Sequence, residues 1–104
     1  MTTNRAQATV QIDNPVTRVT EWRFAPGATT GYHRHEYDYV VVPLATGKLS
    51  IRAASGESVA ELTAGQSYFR EAGVEHEVVN ANPTEFAFVE IELKRSGADM
   101  DPPR

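Results

Sequence analysis

Three histidines occur in this chain of 104 residues, and their spacing allows all three to share one ion. His33 and His35 lie in Gly-x5-His-x-His, which starts at Gly27, and His76 lies in Gly-x7-Gly-x2-His-x3-Asn, which starts at Gly65. Side chains alternate along a β-strand, so two histidines separated by one residue point the same way and offer two imidazoles to one ion. His76 has to arrive from a distant strand. The intervening stretch is long enough for a hairpin or two of about ten residues each, and a closed barrel folds it back against the pair. Imidazole suits divalent Fe, Mn, Co, Ni, Cu and Zn, so the pattern predicts a transition-metal site without choosing the metal.

The elements that must position these rings are strands. Short runs rich in Val, Ile, Thr, Tyr and Phe recur along the chain, broken at intervals of about ten residues by Gly, Pro and Asn, as in an all-β domain. We expect strands at residues 9–13, 16–24, 32–35, 37–44, 48–53, 58–62, 66–70, 75–80 and 86–93. Turn residues separate them at Asn14-Pro15, Ala25-Pro26-Gly27, Ala45-Thr46-Gly47, Ser55-Gly56-Glu57, Ala72-Gly73 and Asn82-Pro83. In 16–24, Val16, Arg18, Thr20, Trp22 and Phe24 share one face. In 86–93, Ala87, Val89, Ile91 and Leu93 form an aliphatic face, while Phe86, Phe88, Glu90 and Glu92 form a mixed one; one of the two lines a wet space. This reading places a single barrel at residues 1–93 and a flexible, aperiodic tail at residues 94–104.

Composition excludes several function classes. A net charge of −4, a pI near 5.3 and the lack of any Lys/Arg run argue against a phosphate-binding surface, so nucleic acid is not expected as a partner. With no cysteine, disulfides, thiolate ligands and a cysteine nucleophile are ruled out, which fits a reducing compartment. The first 15 residues lack the apolar core of a secretory signal, and no stretch approaches the roughly 18 apolar residues of a membrane helix. The expectation is a soluble, cytoplasmic protein with no membrane partner.

Together these residues resemble the two motifs of the cupin superfamily. The first motif runs Gly, five residues, His-x-His, three or four residues, Glu, six residues, Gly, and Gly27, His33, His35 and Gly47 occupy its positions (about 27–47). The second runs Gly, five residues, Pro-x-Gly, two residues, His, three residues, Asn; Gly65, Gly73, His76 and Asn80 match (about 65–80), with Glu71 in place of the proline. The stretch HRHEYDYVVVPL at 33–44 is similar to that of the small single-domain cupins of the β-alanine degradation (BauB) type. The resemblance implies an all-β cupin fold, a double-stranded β-helix or jelly-roll-like barrel, and a homodimer. It also implies His33, His35 and His76 as ligands of a divalent metal, Fe, Mn, Ni or Zn. The chain departs from the motif at the glutamate, whose place falls on Tyr39 or Val40. Asp38 is one residue out of register, reachable by a bulge, and Glu90 is a more distant candidate. A site of three histidines with open positions is the general form of a catalytic metal centre.

The remaining candidates follow from chemistry. Asp38 and Tyr39 are the residues able to move a proton, although Asp38 has an equally simple role as a turn carboxylate or a partner for a ligand histidine. Arg70, on the strand entering the second motif, suits a bidentate clamp on a substrate carboxylate or a surface pair with Glu71. Tyr68 and Phe88 are the aromatic residues expected to meet substrate; Trp22, Tyr32, Tyr37, Tyr39 and Phe86 are further wall or core candidates. Glu36, Glu75 and Glu77 should point away from the histidines as surface charge. The expected function is metal-dependent chemistry, dioxygenase-like or isomerase-like, on a small polar or acidic metabolite, and the resemblance to the β-alanine degradation type implies a place in amino-acid or amine catabolism. Its rivals are a non-catalytic metabolite-binding or sensor cupin and a metal-free isomerase with a histidine base.

Overall fold

The computed structural model describes residues 4–94. It contains nine strands: β1 (Gln7–Asp13), β2 (Thr17–Phe24), β3 (His33–Arg34), β4 (Asp38–Pro43), β5 (Gly47–Ala53), β6 (Gly56–Leu62), β7 (Tyr68–Arg70), β8 (Glu75–Asn80) and β9 (Phe86–Leu93). They form a five-stranded sheet, β1-β2-β9-β4-β7, and a four-stranded sheet, β3-β8-β5-β6, with every strand pair antiparallel. The loop expected at Ser55-Gly56-Glu57 is tighter than the sequence suggests. Ala53 pairs with Gly56, so the turn is Ala54-Ser55 alone, and Gly56 closes it at φ +128°.

The facing sides of the two sheets make the core. Phe24, Phe86 and Leu49 are almost fully buried, and the Phe24 and Phe88 rings stand 5.5 Å apart in a tilted pair. Burying each such side chain contributes roughly 1.5–3 kcal/mol. The alternation in β2 keeps Thr20, Trp22 and Phe24 on one face, as expected, and that face turns inward. In β9 the mixed face is the inner one: Phe86, Phe88, Glu90 and Glu92 are buried, while Val89 and Ile91 on the other side are half-buried and Leu93 is exposed. Two glutamates therefore face the interior, and an aliphatic row faces out. That row continues in register across the sheet, from Ile12 through Val19, Ile91 and Val40 to Phe69.

Two motif residues tie the sheets together. Asn80, 2% exposed, donates through Nδ2 to the carbonyls of Thr84 (2.9 Å), Phe24 (3.2 Å) and Ala25 (3.2 Å), and its Oδ1 accepts from the Asn82 amide N–H (2.9 Å) and Asn82 Nδ2 (2.7 Å). Gly47 lies under the Asn82 side chain, which accepts from Lys48 N–H at 2.9 Å and donates to Lys48 O at 2.8 Å; a Cβ on Gly47 would sit 2.6 Å from Asn82 Oδ1. Close approach, not an unusual φ, accounts for the glycine there. The expected tail at 94–104 lies outside the described residues, apart from Lys94, whose Nζ donates to Asp13.

Candidate metal centre

The segment from Gly27 to His35 runs along β8 and hands the histidines to it. Gly27 N–H donates to Asn80 O, Asn80 N–H to Ala28 O, and Thr30 N–H to Val78 O, at 3.0–3.1 Å. β3 then pairs directly with β8, placing His33 opposite His76 in register. His35 lies one residue beyond the end of β3, so strand alternation alone does not hold it. Instead its N–H donates to Val74 O and its carbonyl accepts from Gly73 N–H, both at 2.8 Å. Gly73 adopts φ +100° to make that loop, a conformation a side chain rarely tolerates.

These constraints bring three Nε2 atoms together. His33 Nε2 is 3.0 Å from His35 Nε2, which is 3.1 Å from His76 Nε2. His33 Nδ1 lies 2.9 Å from Gly31 O, and because a carbonyl only accepts, Nδ1 carries a proton and Nε2 is the atom turned toward the other two rings. Burial and the neighbouring His33 and His76 rings push His35 down to about 3; burial, His33 and Arg70 push His76 down to about 4. Both rings are therefore neutral near neutral pH, the form that binds metal. Converging lone pairs repel one another, and a cation at their centre reverses the sign of the interaction. The three ligand atoms lie within 4.8 Å of one another, and the donor set fits a transition-metal ion.

Around the cluster the candidates divide. Tyr39 is buried and stacks on His35, ring centroids 3.9 Å apart and planes at 15°, and burial raises its phenol further above the ordinary range. It fills the place the motif gives to glutamate. Asp38 points the other way, its Oδ1 accepting the Ala72 N–H at 2.8 Å. The register of β4 is unbroken, so no bulge carries Asp38 to the face of Tyr39. Glu77 also departs from expectation, because it accepts from Thr29 Oγ1 at 2.5 Å and lies 3.7 Å from Arg52, joining β8 to the incoming segment. Glu36 and Glu75 are exposed as expected.

A cavity of about 30 Å³ adjoins the three rings, walled by Trp22, Tyr39, Tyr68, Phe88 and Glu90 among others. Four aromatic side chains line it. Tyr32, by contrast, is 58% exposed, and Phe86 belongs to the core. On one side Tyr39, Tyr68 and His76 also border a cleft of about 450 Å³ that carries Arg70 at its rim. On the other, Trp22, His33, His35 and Glu90 border a recess of about 230 Å³ that includes Arg18 and Glu92. Arg70 lies over the Tyr68 ring, 4.6 Å from its centroid, and donates to Phe69 O at 2.9 Å. Glu90 is the residue that sequence reasoning undervalued. Burial and the nearby Glu92 push its carboxyl up to about 7, against a smaller opposing pull from the Trp22 indole beside it, whose buried N–H has no acceptor in hydrogen-bonding geometry. The signal was the run of acidic residues on the mixed face of 86–93.

The cupin domain family profile matches residues 20–92 of this chain. The chain belongs to the cupin family. Over 90 residues this cupin is 59% identical to the β-alanine degradation protein BauB of Pseudomonas aeruginosa, an alignment covering 86% of this chain and 95% of that protein. The crystal structure of a cupin domain protein from Bordetella pertussis superposes with a TM-score of 0.89 at 55% identity, covering 91% and 99% of the two chains. A double-stranded β-helix protein from Klebsiella pneumoniae, 21% identical, superposes with a TM-score of 0.73 over 90% and 81% of the chains and shows the shared fold.

Proposed function

We propose that this cupin holds one divalent ion, Fe, Mn, Ni or Zn, on His33, His35 and His76 and acts on a small acidic or polar metabolite by dioxygenase-like or isomerase-like chemistry. The convergence of three Nε2 atoms beside a cavity carries the reading. Bound there, such an ion supplies Lewis-acid or oxidative chemistry at positions left open by the protein. Tyr39 fixes the His35 ring by stacking and offers a protonated phenol as a donor. Arg70 at the cleft rim pairs with a substrate carboxylate, Tyr68 supports the guanidinium, and Phe88 closes the inner wall. Similarity to a protein named for β-alanine degradation supports a place in amino-acid or amine catabolism. The outward aliphatic row from Ile12 to Phe69 supports a homodimer, which the mass in solution tests.

A second reading, a metabolite-binding or sensor cupin without turnover, is favoured by the engagement of Asp38 with a turn amide. Elemental analysis of protein purified without a histidine tag tests the metal: about one ion per chain is expected, and about 0.1 or less after exposure to Fe, Mn, Ni and Zn overturns the proposal. The His35→Ala protein should fold and lose the ion.

A further inference from the structure

Two ionisable side chains at this site form no salt bridge among the described residues. Glu92, 8% exposed, is held by Arg18 through bonds of 2.7 and 2.9 Å. Glu90, 9% exposed and two residues earlier on the same inner face, has no bonded cation, feels the Arg18 charge only from beyond salt-bridge distance, and borders both the inner cavity and the recess. Across the cluster, Arg70 meets only its neighbour's carbonyl and the Tyr68 ring, at the rim of the cleft that His76 borders. The Tyr39 phenol feels both Glu90 and Arg70 and borders both the inner cavity and the cleft.

A buried carboxyl without a cation is costly to ionise, and an ammonium group brought by a ligand removes that cost. The surroundings suit such a group. The cavity beside Glu90, about 30 Å³, has room for a water-sized group and hence for one ammonium head, and Trp22, Tyr39 and Phe88 present rings to it. The cleft of about 450 Å³ on the Arg70 side has room for a short chain ending in a carboxylate.

We propose that this site takes a small zwitterionic amino acid, its carboxylate on Arg70 and its ammonium on Glu90, lying across the histidine cluster. The assignment rests on the proposed reading of the cluster as the functional site and narrows its substrate to one class. A plain carboxylic acid leaves Glu90 unpaired, and a plain amine leaves Arg70 unpaired.

Calorimetric titration of the metal-loaded protein with 3-aminopropanoate, propanoate and propylamine tests the proposal, with glycine and 4-aminobutanoate gauging the span between the two charges. The amino acid should bind more tightly than either single-charge probe. Glu90→Gln, a neutral isostere, should weaken the amino acid about 10- to 100-fold and leave propanoate within about twofold, while Arg70→Gln should weaken both. Wild-type protein that binds propanoate as tightly as 3-aminopropanoate, or Glu90→Gln protein that binds the amino acid as tightly as wild type, overturns the proposal. Metal content and thermal melting of each variant accompany the titrations, so a misfolded variant is recognised as such. If the wild type takes up no metal, the metal reading fails by itself, and the same titrations on the metal-free protein still decide the pairing, because neither Arg70 nor Glu90 contributes an atom to the three-nitrogen cluster.

Discussion

Replacing Asn80 by Asp changes one NH2 group for an oxygen and should nearly unfold this cupin at neutral pH. Nδ2 is surrounded by three carbonyl oxygens at 2.9–3.2 Å, and Oδ1 already has two donors. An ionised carboxylate in that place faces three acceptors at 2% exposure, so the new group must protonate to remain inside. Taking up a proton at pH 7 against an ordinary Asp value of about 3.9 costs about 4 kcal/mol. The protonated acid then donates one hydrogen bond where the amide had two protons to share, which costs about 1 kcal/mol more. The expected loss is therefore about 5 kcal/mol at pH 7, a large part of the 5–15 kcal/mol typical of a domain. The folded value of the new carboxyl lies above its unfolded value, so its penalty grows as pH rises and shrinks as pH falls toward 4. At pH 5 the same arithmetic leaves a loss of about 2.5 kcal/mol. Urea denaturation of both proteins at the two pH values reads the difference, with the parent's own titrations cancelling. A loss below about 1 kcal/mol at pH 7, or one that does not change with pH, refutes the account of Asn80 as a donor to three carbonyls.

Gly47→Ala should cost about 1–3 kcal/mol in denaturant melts by driving a methyl into Asn82, and Asn82→Ala in the same chain should recover the clash component but not the Lys48 contacts. Removing Arg18 as Arg18→Met strands buried Glu92 and should cost about 3 kcal/mol, most of it regained by Glu92→Gln; additive losses would argue against the pair. For metal-free protein the pH dependence has a definite sign. His35 and His76 are depressed, so below about 6.5 the unfolded chain takes up two protons that the native state refuses, and stability falls with pH; Glu90 is raised, so between about 4.5 and 7 the native state holds one proton that the unfolded chain releases, which opposes the fall. Two minus one leaves a net loss of about 1.4 kcal/mol per pH unit from about 6.5 to 5, and Glu90→Gln should roughly double that slope in urea melts.

Much of this architecture was legible in one dimension because Gly, Pro and Asn punctuate it. All nine expected strands are present, with ends shifted by a residue or two where hydrogen bonding stops short of the apolar run, as at 32–35, which narrows to His33–Arg34, and at 66–70, which narrows to Tyr68–Arg70. Period-two alternation correctly grouped Thr20 with Trp22 and Phe24. It could not say which face of 86–93 turns inward, because the choice depends on what the other sheet presents, and the inner face proved to be the one with two glutamates. Asp38 illustrates the same limit: its face on β4 is set by the pleat, and its bond to the Ala72 N–H by a turn that closes only in three dimensions.

The sequence by itself determined the strand set and the residue types available for chemistry, since both follow from local periodicity and turn preference. It also placed His33 and His35 close together, although the loop at Gly73-Val74, not a continuous strand, is what holds His35 in place. Only the tertiary structure decided that His33 faces His76 across β3 and β8, that Tyr39 stacks on His35, and that Glu90 reaches the site without a bonded cation. Those relations depend on pairing between residues far apart in the chain, where burial and charge are set by neighbours that no local pattern specifies.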